Sequence, residues 1–145
     1  MTSRITLANT NLSVFPLCLG TNVFGFSSTE EESFAVLDAY YEAGGNFIDT
    51  ADMYSEWKPG NKGGESETII GNWMKARGNR HEMVIATKVS KLSTRPGLSG
   101  ANIKTALDDS LRRLQSDHID LYYAHADDAT VPLEETLSAF GDVIN

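Results

Sequence analysis

The stretch FIDTADMY, Phe47–Tyr54, runs an apolar strand opening directly into a carboxylate, Asp49, and follows it five residues later with a phenol, Tyr54. Aspartate is a poor strand residue and is seldom buried without a partner, so this position calls for a cation nearby. Two later apolar runs end in the same manner. VIATKV (Val84–Val89) carries Lys88 near its end, and LYYAH (Leu121–His125) closes on His125. Strand side chains alternate, so Asp49 shares a face with Phe47, Lys88 with Val84 and Ala86, and His125 with Leu121 and Tyr123. The three ionisable groups are 39 and 37 residues apart, about one strand-plus-helix repeat, and are expected at one edge of one parallel sheet.

The rest of the chain keeps that rhythm. Four β-rich runs, VFPLCLG, NFIDTA, MVIATKV and IDLYYAH, alternate with segments of helical periodicity, the pattern of βα units. The first helix is expected after SSTEEES, where Ser28 with Glu31 or Thr29 with Glu32 can form a capping box; Phe34, Leu37 and Tyr41 follow on one face, up to Gly44-Gly45. The second is expected over about 65–77, with Ile69, Ile70, Trp73 and Met74 as its stripe and Gly78 beyond it. The third carries Ile103, Leu107, Ser110, Leu111 and Leu114; the fourth begins near Pro132 and carries Leu133, Leu137, Phe140 and Ile144. Ahead of these units, RITLANTNLSVFP reads as a short β-hairpin turning at Asn9-Thr10-Asn11. Long loops are expected at DMYSEWKPGNKGG and SKLSTRPGLSG. The fold class is α/β, and in a (β/α)8 barrel the C-terminal edge of the strands is where catalytic groups gather.

Composition narrows the function classes. Over 145 residues, 41% hydrophobic and 22% charged are the proportions of an ordinary globular domain. Twelve basic against 20 acidic side chains give a net charge of −8, a field that repels nucleic acid and anionic membranes. No run of 18 apolar residues and no apolar leader region occurs, so the expected location is cytoplasmic. The single cysteine, Cys18, lies in an apolar run and is expected as a buried, inert small hydrophobe.

Taken singly, each candidate has a plain structural reading: Asp49 as a loop cap, Lys88 as a snorkelling lysine, His125 as a hydrogen-bonded structural histidine, Tyr54 as a loop aromatic. Taken together they make a chemical unit. A cation and an anion at the ends of adjacent strands lower the cost of burying each other. An ammonium beside a phenol favours the phenolate and brings the phenol toward use as a general acid at neutral pH.

The segments LGTNVFG, FIDTADMYS, GGESETIIGNWMK, VIATKV, NIKTALDDSLRRLQSDHIDLYYAH and PLEETLSAF, in this order, resemble the aldo-keto reductase family over essentially the whole chain. The resemblance implies a (β/α)8 TIM barrel opening with a hairpin, of which residues 1–145 would be the N-terminal half, the first four βα units, without the C-terminal half. It implies NADPH as cofactor and reduction of an aldehyde or ketone to an alcohol. The family's catalytic tetrad falls on Asp49, Tyr54, Lys88 and His125: Tyr54 as general acid, Lys88 with Asp49 tuning it, His125 orienting the carbonyl. Gly20, Thr21 and Asn22 would lie at the nicotinamide and its ribose, with Asp49 beside them. Phe24 and Trp57 would wall the substrate pocket together with Tyr54 and His125.

Four units leave a barrel open. Leu17, Leu19, Val84, Ala86, Leu121 and Tyr123 are expected along an uncovered inner face, with unpaired strand edges that favour self-association or the missing half-barrel as partner. Alone, such a chain is expected to be inactive. The alternative is a non-catalytic binding or regulatory module on the same fold.

Overall fold

A computed structural model describes residues 3–144, so residues 1, 2 and 145 of the expected half-barrel lie outside the described residues. Two short strands, β1 (Ile5–Thr6) and β2 (Ser13–Val14), form the antiparallel hairpin. There follow β3 (Leu19–Gly20), α1 (Glu30–Glu42), β4 (Phe47–Asp49), α2 (Glu65–Arg77), β5 (Val84–Val89), α3 (Gly100–Leu114), β6 (Leu121–Ala124) and α4 (Leu133–Ile144). Strands β3, β4, β5 and β6 lie side by side in that order, all parallel. This is the expected series of four βα units.

Local chemistry sets the element ends. Thr29 with Glu32 forms the capping box of α1, the second of the two expected pairings. Helix α2 stops at Gly78, which takes the left-handed φ of 65° that glycine adopts without a steric cost. Helices α2 and α3 approach closely at Gly71, where a Cβ would stand 2.2 Å from the Arg113 carbonyl oxygen. At the start of the sheet the hydroxyl of Tyr40, a residue outside the expected stripe of α1, has its one proton between the carbonyls of Leu17 and Phe47 and accepts from the Phe47 N–H. Asp120 likewise accepts from the Ile85 N–H and from Arg80, fixing the starts of β5 and β6.

The core lies between sheet and helices. Ile48 and Ile85 meet Leu37, Ile70, Trp73 and Leu114 in one cluster; Val89 meets Leu98, Ile103 and Ala106 in a second, with Phe140 and Val143 of α4 against it. Burying side chains of this size contributes roughly 1.5–3 kcal/mol each, which makes the outward face of the sheet the dominant source of stability.

Three expectations need correction. Leu19 does not face inward: it pairs with Ile48 and packs on the helix-side cluster, so alternation puts its neighbour Gly20 on the Asp49 face. Cys18 is exposed rather than buried: it lies just before the short edge strand β3, next to Leu19, which packs on the helix side. Its thiol is pushed up to about 11, first by partial burial and then by the Asp49 carboxylate, which leaves it a weak nucleophile. In α4 the packed face is Thr136, Ala139, Phe140 and Val143, while Leu133, Leu137 and Ile144 remain exposed. The remaining inner-face positions divide: Val84 and Ala86 are buried, Leu121 is half-buried, Leu17 and Tyr123 are exposed.

Candidate active site

The parallel register carries Asp49, Lys88 and His125 to one edge. Asp49 pairs with Gly20 on one side and Ala86 on the other; Lys88 stands two residues further along β5, opposite Tyr123. The His125 N–H continues the β5–β6 pairing by donating to Val89 O at 2.8 Å. Tyr54 arrives from the β4–α2 loop, where its N–H closes a turn on Ala51 O.

Lys88 Nζ is the centre of the constellation. It donates to Asp49 Oδ2 at 2.7 Å, to Thr50 O at 2.7 Å and to Tyr54 Oη at 2.9 Å. An ammonium has three donors, and here each has an oxygen. The Lys88 side chain is 14% exposed and that of Asp49 28%, so the pair sits where solvent screens it only in part. Tyr54 Oη lies 3.4 Å from Asp49 Oδ2, at the long limit of a hydrogen bond. The His125 ring stands edge-on to Tyr54, centroids 6.0 Å apart. His125 Nδ1 is buried without a hydrogen-bond partner among the described residues. Burial, then the Lys88 and Lys91 cations, hold the imidazole below its ordinary range and keep it neutral at pH 7.

A buried polar shell fixes these groups from behind. Thr21 donates to Asp49 O at 2.8 Å, Thr50 to Ser66 Oγ at 3.1 Å, and Ser66 to Thr21 O at 2.9 Å. Beneath β5, Thr87 donates to Glu67 Oε1 at 2.5 Å, and Arg113 donates to Glu67 Oε2 at 2.6 Å. Ser66 and Glu67 were not singled out in the sequence, although both fall on the apolar stripe of α2, one turn before Ile69 and Ile70. A carboxylate on a core-facing stripe was the available signal. Ser55 and Ser90, on the two loops that flank the site, hold φ of 73° and 117°. Such conformations cost about 1–3 kcal/mol each and persist only where surrounding bonds enforce them.

Asp52 is 1% exposed, and neither of its oxygens has a hydrogen-bond partner among the described residues. Burial first, then the Glu67 anion, against Arg113 and Arg95, pushes its carboxyl up to about 7.

The other sequence candidates divide. Gly20 and Asn22 are exposed beside Asp49, and the space next to Gly20 Cα is open. Thr21, expected at a cofactor, is fully buried with its hydroxyl committed to Asp49 O. Phe24, expected as a pocket wall, is 2% exposed and packs in the first core cluster. The turn from Val23 to Ser28 sends Phe24 inward and leaves Phe26, two residues on, at the surface. Trp57 is exposed, with its ring 6.2 Å from that of Tyr54.

Comparison with known proteins identifies the family. The model of the Aldo/keto reductase family matches residues 16–145. Norsolorinic acid reductase B of Aspergillus parasiticus is 38% identical over 151 residues, covering 92% of this chain and 38% of its own. The NADP(+) aryl-alcohol dehydrogenase of Phanerodontia chrysosporium is 36% identical over 154 residues, with the same coverage of 92% and 38%. The holo form of aldo-keto reductase AKR11C1 from Bacillus halodurans superposes with a TM-score of 0.83 at 33% identity, over 99% of this chain and 46% of that one. The chain thus spans less than half the length of these relatives.

Two titrations test the electrostatics. By NMR, His125 is expected to titrate below the ordinary 6.5, and Lys88→Met to move it upward by removing one cation and unmasking Asp49; titration at or above 6.5 in the unmodified protein would contradict the assignment. For Asp52 the folded-state value is raised, so its stability contribution is present below the unfolded value of 3.8 and is lost as pH rises through about 7. Asp52→Asn is therefore expected to become increasingly stabilising between about pH 4 and about pH 7 and to level off above that, by at most ~4 kcal/mol in all, read from urea midpoints. A difference independent of pH would exclude a raised Asp52.

Proposed function

The chain belongs to the aldo/keto reductase family, and from that membership we propose that it carries the proton-transfer site of an NADPH-dependent oxidoreductase interconverting an aldehyde or ketone with its alcohol. One observation carries the reading: the Lys88 ammonium bonds the Tyr54 hydroxyl and the Asp49 carboxylate at once. In reduction, Tyr54 gives its proton to the carbonyl oxygen, and the phenolate left behind lies 2.9 Å from the Lys88 charge. Asp49 holds that ammonium in place. In alcohol oxidation the same phenolate takes the proton back. His125, neutral and with its Nδ1 buried and unpartnered among the described residues, has Nε2 left to donate to the substrate oxygen as negative charge develops on it.

Exposed Gly20 and Asn22, the open space at Gly20 and Asp49 Oδ1 suit the nicotinamide-ribose end of the nucleotide. Bound there, NADPH supplies the hydride to the carbonyl carbon. Thr21 serves by positioning, through its bond to Asp49 O. NADP is also the cofactor named for one relative, the aryl-alcohol dehydrogenase.

In this reading the four units work with four more, in the same polypeptide or another, or with a second copy. The open edges of β3 and β6 and the exposed Leu133, Leu137 and Ile144 of α4 are the surfaces a partner would cover. The four units alone are expected to be inactive. Within the assembled barrel, Tyr54→Phe is expected to lower carbonyl reduction by at least about 10²-fold while leaving nucleotide affinity unchanged. Lys88→Met is expected to damage kcat severely. Steady-state kinetics with a nucleotide-binding titration read both; undiminished turnover in Tyr54→Phe would remove Tyr54 as the general acid, whereas no turnover in the unmodified assembled barrel would favour the non-catalytic module.

A further inference from the structure

Two exposed aromatic rings stand beside the site on different loops. Phe26, between β3 and α1, is 42% exposed, and Trp57, between β4 and α2, is 44% exposed. Their rings meet edge to face at 5.9 Å and 78°. Trp57 then meets Tyr54 at 6.2 Å, and Tyr54 meets His125 at 6.0 Å. The four rings form a row with His125 and the proposed proton donor Tyr54 at its inner end and Trp57 and Phe26 running outward over the loops.

The loops under this row are held tightly. Asn61 Nδ2 donates to Gly25 O at 3.0 Å and to Ser55 O at 2.8 Å, and Ser55 Oγ donates to Phe24 O at 2.5 Å. On the other side, Glu56 accepts from the Ser93 N–H at 3.0 Å, tying the β4–α2 loop to the β5–α3 loop. Ser55, between Tyr54 and Trp57, is fully buried in the left-handed region, so the turn that presents Trp57 is enforced by its surroundings. Rings fixed in this manner lose little freedom when a ligand meets them. If the pair served only to pack one loop on the other, the rings would cover each other; instead each keeps about two-fifths of its surface open.

We propose that Phe26 and Trp57 form a preorganised aromatic shelf that selects substrates whose carbonyl is attached to a planar aromatic ring, that is, aryl aldehydes and aryl ketones. The inference rests on the oxidoreductase reading and adds the substrate class. A planar π system gains an edge-to-face or offset contact with Trp57 and Phe26 beyond the area it buries; a saturated ring of similar size gains the area alone. With the ring on the shelf, the attached carbonyl lies toward Tyr54 and His125. Asn61 acts as a positioning residue, since it pins the two loops on which the shelf is built.

The test compares aromatic probes with saturated ones in binding and in turnover. In binding, benzyl alcohol and cyclohexylmethanol are titrated while the two tryptophan indole N–H resonances are followed by NMR. Benzyl alcohol is expected to shift Trp57 at concentrations about tenfold lower than cyclohexylmethanol does, while core-buried Trp73 stays still. In turnover, benzaldehyde is expected to exceed cyclohexanecarbaldehyde in kcat/KM by about tenfold. That ratio should collapse in Trp57→Leu and Phe26→Leu, which keep apolar bulk, and shrink in Asn61→Ala, mainly through KM. Equal binding of the two alcohols, or an unchanged aldehyde ratio in both leucine variants, overturns the shelf and leaves the oxidoreductase reading standing. Selective benzyl alcohol binding that the leucine variants lose, with no turnover in any variant, upholds the shelf and removes the oxidoreductase reading.

Discussion

One ammonium, Lys88 Nζ, held by the Asp49 carboxylate, the Thr50 carbonyl and the Tyr54 hydroxyl, is the contact on which the rest of the structure turns. A lysine this little exposed needs every donor matched, and the three acceptors come from a strand end, the residue after it and a loop. Parallel pairing is what brings them within reach. Had β4 and β5 slipped by one residue, alternation would have turned Asp49 or Lys88 toward the helices. The outward-facing Ile48, Ile85 and Val89, packed against α1, α2 and α3, oppose that slip, so the hydrophobic core on one face of the sheet fixes the electrostatics on the other.

Polar groups that look structural belong to the same device. Thr21, Thr50 and Ser66 tie the ends of β3 and β4 to the start of α2, while Thr87, Glu67 and Arg113 tie β5 to α2 and α3. The close contact at Gly71 sets α2 against α3 and so carries Glu67 to Arg113. Unpaired Asp52 and the left-handed Ser55 and Ser90 are costs borne next to the site, offset by the packing around them.

Much of this was legible in the sequence, for identifiable reasons. Periodicity located α2 over Glu65–Arg77, and capping chemistry narrowed the start of α1 to two pairings of which Thr29–Glu32 forms, because both signals are local. The spacing of Asp49, Lys88 and His125 carried the sheet register, because one βα unit has a nearly fixed length. Orientation around the short edge strand did not survive: where only Leu19 and Gly20 pair, apolar character alone does not say whether Leu17, Cys18 or Leu19 faces the helices. Phe24, expected as a pocket wall, lies in the core and Phe26 at the surface because a turn, rather than strand alternation, decides which of them points inward. Helix α4 is apolar on two faces, and which of them meets α3 depends on tertiary contact. Tyr40, Ser66 and Glu67 went unread because buried polar residues act through partners far away in the chain.

The central claim is that Lys88 and Tyr54 act as one unit in proton transfer. A double-mutant cycle on the single-turnover rate of carbonyl reduction, using Tyr54→Phe, Lys88→Met and the double variant in the assembled barrel, tests it most directly. If the two are one unit, the double variant reacts no more slowly than the slower single variant, since the ammonium has nothing left to stabilise once the phenol is gone. Losses that multiply in the double variant would show that Lys88 and Tyr54 contribute independently, and would contradict the account.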